Sequence, residues 1–195
     1  MRKLIGLLLV CGLLLAGLAS KSYGATATDP ASLSKVKSET EMEYLSPMWD
    51  NRQLDTVSLN LFFHYRDDPA RHLSYFRGAT ITRAWGYVNE AEKELADDAV
   101  GIGPVWMVRY QPWQWGKAAL AVDMSGGIIF YNQNFPTDGD FYNFMWRLGP
   151  EFSYAINDNY RLSIGCKIMH VSNGQHGHNP SYNGDGFSIG IIKTF

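Results

Sequence analysis

Residues 159–172 read NYRLSIGCKIMHVS, and along this stretch two kinds of side chain alternate. One face carries Tyr160, Leu162, Ile164, Cys166 and Ile168, and the other carries Arg161, Ser163, Gly165 and Lys167. A period of two is the pattern of a β-strand whose two faces meet different surroundings. This segment is therefore predicted to be a strand with one apolar and one polar face.

The same alternation recurs along most of the chain, with turn residues between the runs. The predicted strands are 56–65, 72–88, 99–111, 116–131, 140–155, 159–172 and 183–195, with an eighth, weaker strand near 41–49. Longer polar loops are predicted at 89–98, 132–139 and 173–182. Short turns alternating with long loops are typical of outer-membrane barrels, which close with an even number of strands. Pro104 and Pro150 fall inside predicted strands, where bulges are expected to absorb them.

The apolar face is predicted to point outward, into lipid. A soluble, lipocalin-like barrel would place it inside, but the opposite face carries charges that suit a polar lumen, such as Arg147, Glu151 and Lys167. The final strand is amphipathic and ends at the aromatic Phe195, which resembles the sorting signal of outer-membrane barrels. We predict an all-β fold, an eight-stranded antiparallel transmembrane β-barrel of a Gram-negative outer membrane.

The N-terminus has the pattern of a secretory signal. Arg2 and Lys3 precede an apolar run from Leu4 to about Leu18, which is shorter than the roughly 20 residues of a membrane-spanning helix. We predict a signal peptide over 1–24 with cleavage near 24–27, a flexible lead-in over 25–40 and the barrel over 41–195. Loss of the signal lowers the net charge from −2 to −5, which argues against a nucleic-acid partner.

Two polar residues interrupt the apolar face at the end of the penultimate strand. His170 and Ser172 share the parity of Ile168, so they are predicted to project toward lipid, where a polar group without a partner is unfavourable. Their Cα atoms lie about 6.6 Å apart on a strand. A histidine beside a serine is the base–nucleophile arrangement of acyl transfer.

Neighbouring residues supply candidates for the other roles in such a site. If Ser172 opposes Asn183 across the hairpin, His170 opposes Asp185, so either Asp185 or Asn183 is expected to orient the imidazole. Asn173 and the backbone amides around Gly174 are candidates for stabilising an oxyanion.

Other polar clusters are interpreted as solvated loops. His176 and His178 lie in a Gly-rich loop without a nearby cysteine, which is weak evidence for a metal. The acidic stretch from Glu90 to Asp98 offers carboxylates to cations that bridge lipopolysaccharide, but a solvated loop is the preferred interpretation. Neither a metal nor an organic cofactor is predicted.

The last 30 or so residues resemble the lipid A 3-O-deacylase family. The segment from His170 reads HVSNGQHGHNPSYNGDGFSIGIIKTF, which is similar to the family's His-x-Ser-Asn motif, Asn-Pro loop and aromatic end. The resemblance implies an eight-stranded barrel with Ser172 as nucleophile, His170 as base and Asn173 as the motif asparagine. The family orients its histidine with a glutamate; counted from Asn-Pro, that position holds Asn183, and Asp185 lies two residues further on the same predicted face.

The predicted function is removal of the ester-linked 3-position acyl chain from lipid A by an outer-membrane esterase. Its partners would be lipid A or lipopolysaccharide as substrate and the surrounding outer-membrane lipids, with the oligomeric state open between monomer and homodimer. The alternatives are a non-catalytic structural or adhesive barrel, and another outer-membrane acyl hydrolase or acyltransferase.

Overall fold

A computed structural model describes residues 36–48, 52–90, 93–174 and 180–194. The predicted signal peptide, its cleavage site and the lead-in up to residue 35 lie outside these residues. So do the predicted loop histidines His176 and His178, and the terminal Phe195. None of the described residues belongs to a helix that is long and apolar enough to cross a membrane.

Eight strands account for nearly all of the described chain. They are β1 (Val36–Pro47), β2 (Arg52–Asp68), β3 (Leu73–Glu90), β4 (Lys93–Trp115), β5 (Ala118–Tyr131), β6 (Tyr142–Ala155), β7 (Tyr160–Ser172) and β8 (Tyr182–Thr194). Each pairs antiparallel with the next, and β1 pairs with β8, so the sheet closes into a barrel. The predicted barrel class and the eighth strand are confirmed, although β1 begins at Val36 rather than near residue 41.

The two ends of the barrel differ in their connections. One end, here called the turn end, joins strands through short segments such as the two-residue turn between Trp115 and Ala118. The other, the loop end, carries the connections 132–141 and 173–181. The predicted loop at 89–98 was wrong. The pairing of β3 with β4 continues from Leu73 and Tyr110 to Glu90 and Lys93, so most of the acidic stretch belongs to these two strands.

Apolar side chains cover the outer surface and polar side chains fill the interior. On β7, for example, Leu162 and Ile164 are 40% and 42% exposed on the outer face, whereas Ser163 and Lys167 are buried on the inner face. Exposed apolar groups in this number on one continuous surface require lipid rather than water around them. The predicted outward direction of the apolar face is therefore confirmed.

The lumen is held together by buried ion pairs that connect distant strands. Arg109 on β4 lies 2.8 Å from a carboxylate oxygen of Glu39 on β1. The same guanidinium lies 2.7 Å from Asp123 on β5 and from Glu151 on β6. Buried charges are tolerated only when they are paired and hydrogen-bonded. This network explains why the polar parity of each strand points inward.

The two strand prolines are accommodated without the expected bulges. The pairing of β4 with β5 keeps the same offset from Ile102 opposite Phe130 to Val105 opposite Gly127, on either side of Pro104. Pro150 pairs with Val122 in an unshifted ladder. The shift in the β4–β5 register lies elsewhere, between Tyr110 and Trp113. A proline removes only its own donor, so the ladder continues past it.

Candidate active site

His170 and Ser172 lie at the loop end of β7, on the outer face of the barrel. They continue the parity of the exposed Leu162 and Ile164, and both are half-buried. Their neighbours on β6 are aromatic, since Trp146 pairs with His170 and Phe144 pairs with Ser172. The misfit between polar residues and an apolar face is thus a local feature, enclosed on one side by aromatic rings.

The imidazole of His170 is held by Asn183 on β8. His170 Nδ1 lies 2.8 Å from Asn183 Oδ1, and the two residues are register partners. An amide oxygen only accepts hydrogen bonds, so Nδ1 is a donor, and in the neutral imidazole Nε2 is then the nitrogen that carries the lone pair. This is the tautomer that a general base needs.

The register places Asp185 away from the imidazole. Asp185 pairs with Ile168 on β7 and with Ser46 on β1, two pairs further from the loop end than Asn183. The assumed register, with Ser172 opposite Asn183, was wrong by two residues. Spacing within one strand does not fix the offset of a hairpin whose loop length is unconstrained. Of the two candidate orienting residues, the geometry therefore brings only Asn183 to the histidine as its register partner.

Asn173 turns its side chain away from lipid and toward another connection. It is buried, and its Nδ2 donates to Asp140 Oδ2 at 2.9 Å. Asp140 belongs to the 132–141 connection, where its backbone oxygen accepts from the amide of the buried Phe135. The connection 132–141 thus fixes the residue that directly follows Ser172.

The residue after Asn173 has an unusual backbone conformation. Gly174 has a φ of +75°, a conformation that side chains other than glycine rarely adopt. A Cβ atom at this position would lie 3.1 Å from the Phe144 ring. Glycine is needed here for both reasons, and its lack of a side chain leaves room for the Phe144 ring on β6.

Ser172 and His170 share a face but no hydrogen bond. Among the described residues, no hydrogen bond joins Ser172 Oγ to either nitrogen of the imidazole, whereas Nδ1 is engaged by Asn183. Catalytic hydrogen bonds are often long in substrate-free enzymes and shorten in the substrate complex. The structure thus places an imidazole, a hydroxyl and a side-chain amide on the outer face of two adjacent strands.

A protein-family model described as Lipid A 3-O-deacylase (PagL) matches residues 56–191. The chain belongs to that family. The matched segment runs from β2 through nearly all of β8, so it includes every residue of the site described above. The predicted class of enzyme, an ester hydrolase of the lipid A deacylase family, is confirmed.

The fold of the solved PagL structure supports the barrel independently. The crystal structure of the outer membrane enzyme PagL aligns with a TM-score of 0.58 and 14% identity, over 78% of this chain and 97% of that one. The solid-state NMR structure of outer membrane protein AlkL in DMPC lipid bilayers aligns with a TM-score of 0.35 and 8% identity, over 90% of this chain and 93% of that one. No curated protein matches this sequence. Together, the PagL family match and the PagL fold place this chain in the outer membrane, as predicted.

Two residues of this PagL-family site were missed from the sequence alone. Asp140 lies in a polar loop, and only the fold reveals that the loop returns to Asn173. Trp146 fits the outer apolar face of β6, so nothing in the alternation marks it as a neighbour of His170. The missing information was the strand pairing for Trp146 and the path of the loop for Asp140.

The described residues offer one group of carboxylates close enough to hold a metal ion. Glu39, Glu41 and Glu151 bring oxygen atoms within 4.8 Å of one another inside the lumen. These side chains already pair with Arg109 and Lys167, so the group is explained by the lumenal ion network. It lies on the inner face, whereas His170 and Ser172 lie on the outer face.

Proposed function

We propose that this barrel removes the ester-linked 3-position acyl chain from lipid A by Ser172 and His170 catalysis. The observation that carries the proposal is the outward-facing imidazole whose Nδ1 is held by Asn183 at 2.8 Å. The fold does not require a polar pair on its lipid-facing wall. An ester in the same membrane leaflet gives that pair a substrate. Lipid A is such an ester, and it reaches the site without entering the lumen.

The reaction is an acyl transfer in two halves. His170 Nε2 takes the proton from Ser172 Oγ while Oγ attacks the ester carbonyl carbon, which forms a tetrahedral oxyanion. Collapse breaks the bond to the sugar oxygen, and that oxygen leaves with the proton from His170. Water then attacks the acyl-serine, again with His170 as base, and releases a fatty acid and the free Ser172 hydroxyl.

The oxyanion is assigned to the backbone that follows Ser172. The amides of Asn173 and Gly174 directly follow Ser172, Gly174 has a positive φ, and Asp140 holds the Asn173 side chain at 2.9 Å. Donors that are fixed before the reaction stabilise developing charge without reorganisation. In this proposal Asn173 and Gly174 contribute backbone N–H groups, and Asp140 keeps them in place.

The Ser172–His170 hydrogen bond is assigned to the substrate complex. Residues two apart on a strand are separated by about 6.6 Å at Cα, so side-chain rotation toward each other brings Oγ and Nε2 within reach. The acyl ester arriving between Phe144 and the loop end would exclude water and favour that rotamer. Hydrogen bonds that tighten on binding are common in hydrolases of this kind.

The test is the mass of lipid A from a Gram-negative host that expresses the protein. We expect loss of one hydroxyacyl chain with the wild type and unchanged lipid A with Ser172→Ala. Ser46→Ala is the matched control, since Ser46 is a half-buried serine near the loop end of β1. Unchanged lipid A from a folded wild-type barrel would refute the proposal.

One observation favours a non-catalytic barrel instead. The imidazole partner is the neutral Asn183, which stabilises a charged imidazolium less than a carboxylate would. In that case His170→Ala and Ser172→Ala would leave lipid composition the same as wild type. Product analysis also separates the related enzymes, because an acyltransferase adds mass to an acceptor and a phospholipase releases lysophospholipid.

A further inference from the structure

The imidazole of His170 has an aromatic neighbour on the side opposite Asn183. The ring centroids of Trp146 and His170 lie 5.9 Å apart, and the ring planes are inclined by 33°. Trp146 is the register partner of His170 on β6, as Asn183 is on β8. The histidine is therefore held from both adjacent strands, by a hydrogen bond on one side and by an indole on the other.

The chemistry of the proposed reaction gives this contact a purpose. When His170 takes the serine proton it becomes a cation, and the side chain that holds its Nδ1 is the uncharged Asn183. A cation within about 6 Å of an aromatic ring is attracted to the π face, most strongly for tryptophan and when water is excluded. Trp146 lies at this range, on the lipid-facing wall.

We propose that Trp146 is a positioning residue that stabilises the His170 imidazolium through its π face, in place of the carboxylate found in a Ser-His-acid triad. The inference rests on the proposed function, because the relevant cation is the one formed when His170 takes the proton of Ser172. The indole acts through His170, and no contact between Trp146 and the ester carbonyl is required.

The surroundings of Trp146 fit this assignment. Its register partner on β5 is Gly126, and a Cβ atom placed there would meet little, the nearest atom being a backbone oxygen at 3.5 Å. On the β5 side, the register partner of Trp146 therefore has no side chain. On the β7 side, its register partner is His170. Trp106, which pairs with Gly126 from β4, is a lipid-exposed tryptophan without a histidine partner.

The test compares kcat and KM on purified lipid A in detergent micelles. In Trp146→Leu we expect kcat to fall about threefold to thirtyfold, the range of a cation–π contact, with KM nearly unchanged. Trp146→Phe should recover part of the loss, and Trp106→Leu should match the wild type. A rise in KM alone would assign Trp146 to uniform substrate binding and overturn the inference.

A double-mutant cycle separates an electrostatic role from a merely structural one. Asn183→Asp places a carboxylate of nearly the same shape beside Nδ1, so the cation no longer depends on the indole. In that background, Trp146→Leu should lower kcat by about twofold or less, because the two stabilising groups are coupled. An equally large loss in both backgrounds would contradict the inference.

A measurement without turnover distinguishes failure of this inference from failure of the proposed function. The indole ring current should displace the NMR signals of the His170 ring in the wild type, and the displacement should vanish in Trp146→Leu. His170→Gln identifies the signal. An undisplaced His170 ring overturns the inference even if lipid A is hydrolysed, whereas a displaced ring in an inert barrel removes the proposed function while the contact stands.

Discussion

Asn183 Oδ1 accepts a hydrogen bond from His170 Nδ1 at 2.8 Å, across the register pair that joins β7 to β8. The oxygen of a neutral amide thus fixes the tautomer of the proposed base. This contact orients the imidazole. Because Asn183 is neutral, the contact supplies no full negative charge to stabilise the imidazolium. It yields the first prediction.

Replacing Asn183 by aspartate should raise kcat about fivefold. A hydrogen bond to a charged group stabilises by roughly 1 kcal/mol more than one between neutral groups, and the imidazolium benefits more than the neutral ring. Steady-state hydrolysis of micellar lipid A measures the change. Asn183→Leu is the reverse control, in which Nδ1 loses its acceptor and kcat should fall; a faster Asn183→Leu enzyme would refute the role.

Removing the Asp140 carboxylate should slow the enzyme. Asp140→Ala leaves the buried Nδ2 of Asn173 without the acceptor that holds it at 2.9 Å, so the amides after Ser172 lose their fixed position. Loss of one oxyanion donor typically lowers kcat by about a hundredfold or more. Displacement of a donor should lower kcat somewhat less than that. Asp140→Asn retains an acceptor oxygen and should be closer to wild type; equal losses in both variants would point to a requirement for charge.

A side chain at Gly174 should impair activity without unfolding the barrel. Gly174→Ala is strained by the positive φ of +75° and by the 3.1 Å approach of a Cβ to the Phe144 ring. We expect kcat to fall, while folded barrel remains detectable by its shifted mobility in unheated SDS gels. Gly174→Ala with Phe144→Leu relieves the contact but not the strain, so it should recover activity only in part; full recovery would show that backbone conformation is irrelevant.

The free energy of unfolding should depend on the buried ion pairs of the lumen. Arg109→Met leaves three buried carboxylates without their shared cation, and breaking a buried ion pair in this way costs about 3–5 kcal/mol. Arg83→Met removes an exposed ion pair with Asp98 and should change the free energy of unfolding far less, because solvent screens that pair. Urea unfolding in lipid vesicles compares the two, and equal effects would contradict the structural role of the lumenal network.

The fold was largely predictable from alternation. Period-two patterning identified strands such as 159–172, and the charges on one parity, including Lys167, identified the lumen. The prediction failed at 89–98, where the polar residues were interpreted as a loop. Asp97 and Asp98 sit on β4, where Asp97 accepts from the Thr137 amide and Asp98 pairs with Arg83.

The site was only partly predictable, because its geometry depends on pairing between strands. His170 and Ser172 were visible as polar residues on an apolar face. The choice between Asn183 and Asp185 required the hairpin register, which two flanking sequences do not determine when the loop between them is long. The contribution of Asp140 required knowledge that a loop 33 residues away in sequence returns to Asn173.

The central claim is that Ser172 is the nucleophile of a lipid A esterase. Its most direct test incubates the purified, folded barrel with purified lipid A in detergent micelles, followed by tandem mass spectrometry of the product. We predict loss of one ester-linked hydroxyacyl chain from the 3-position with the wild type and none with Ser172→Ala. Intact lipid A after wild-type treatment, or the same product from both proteins, would contradict the account.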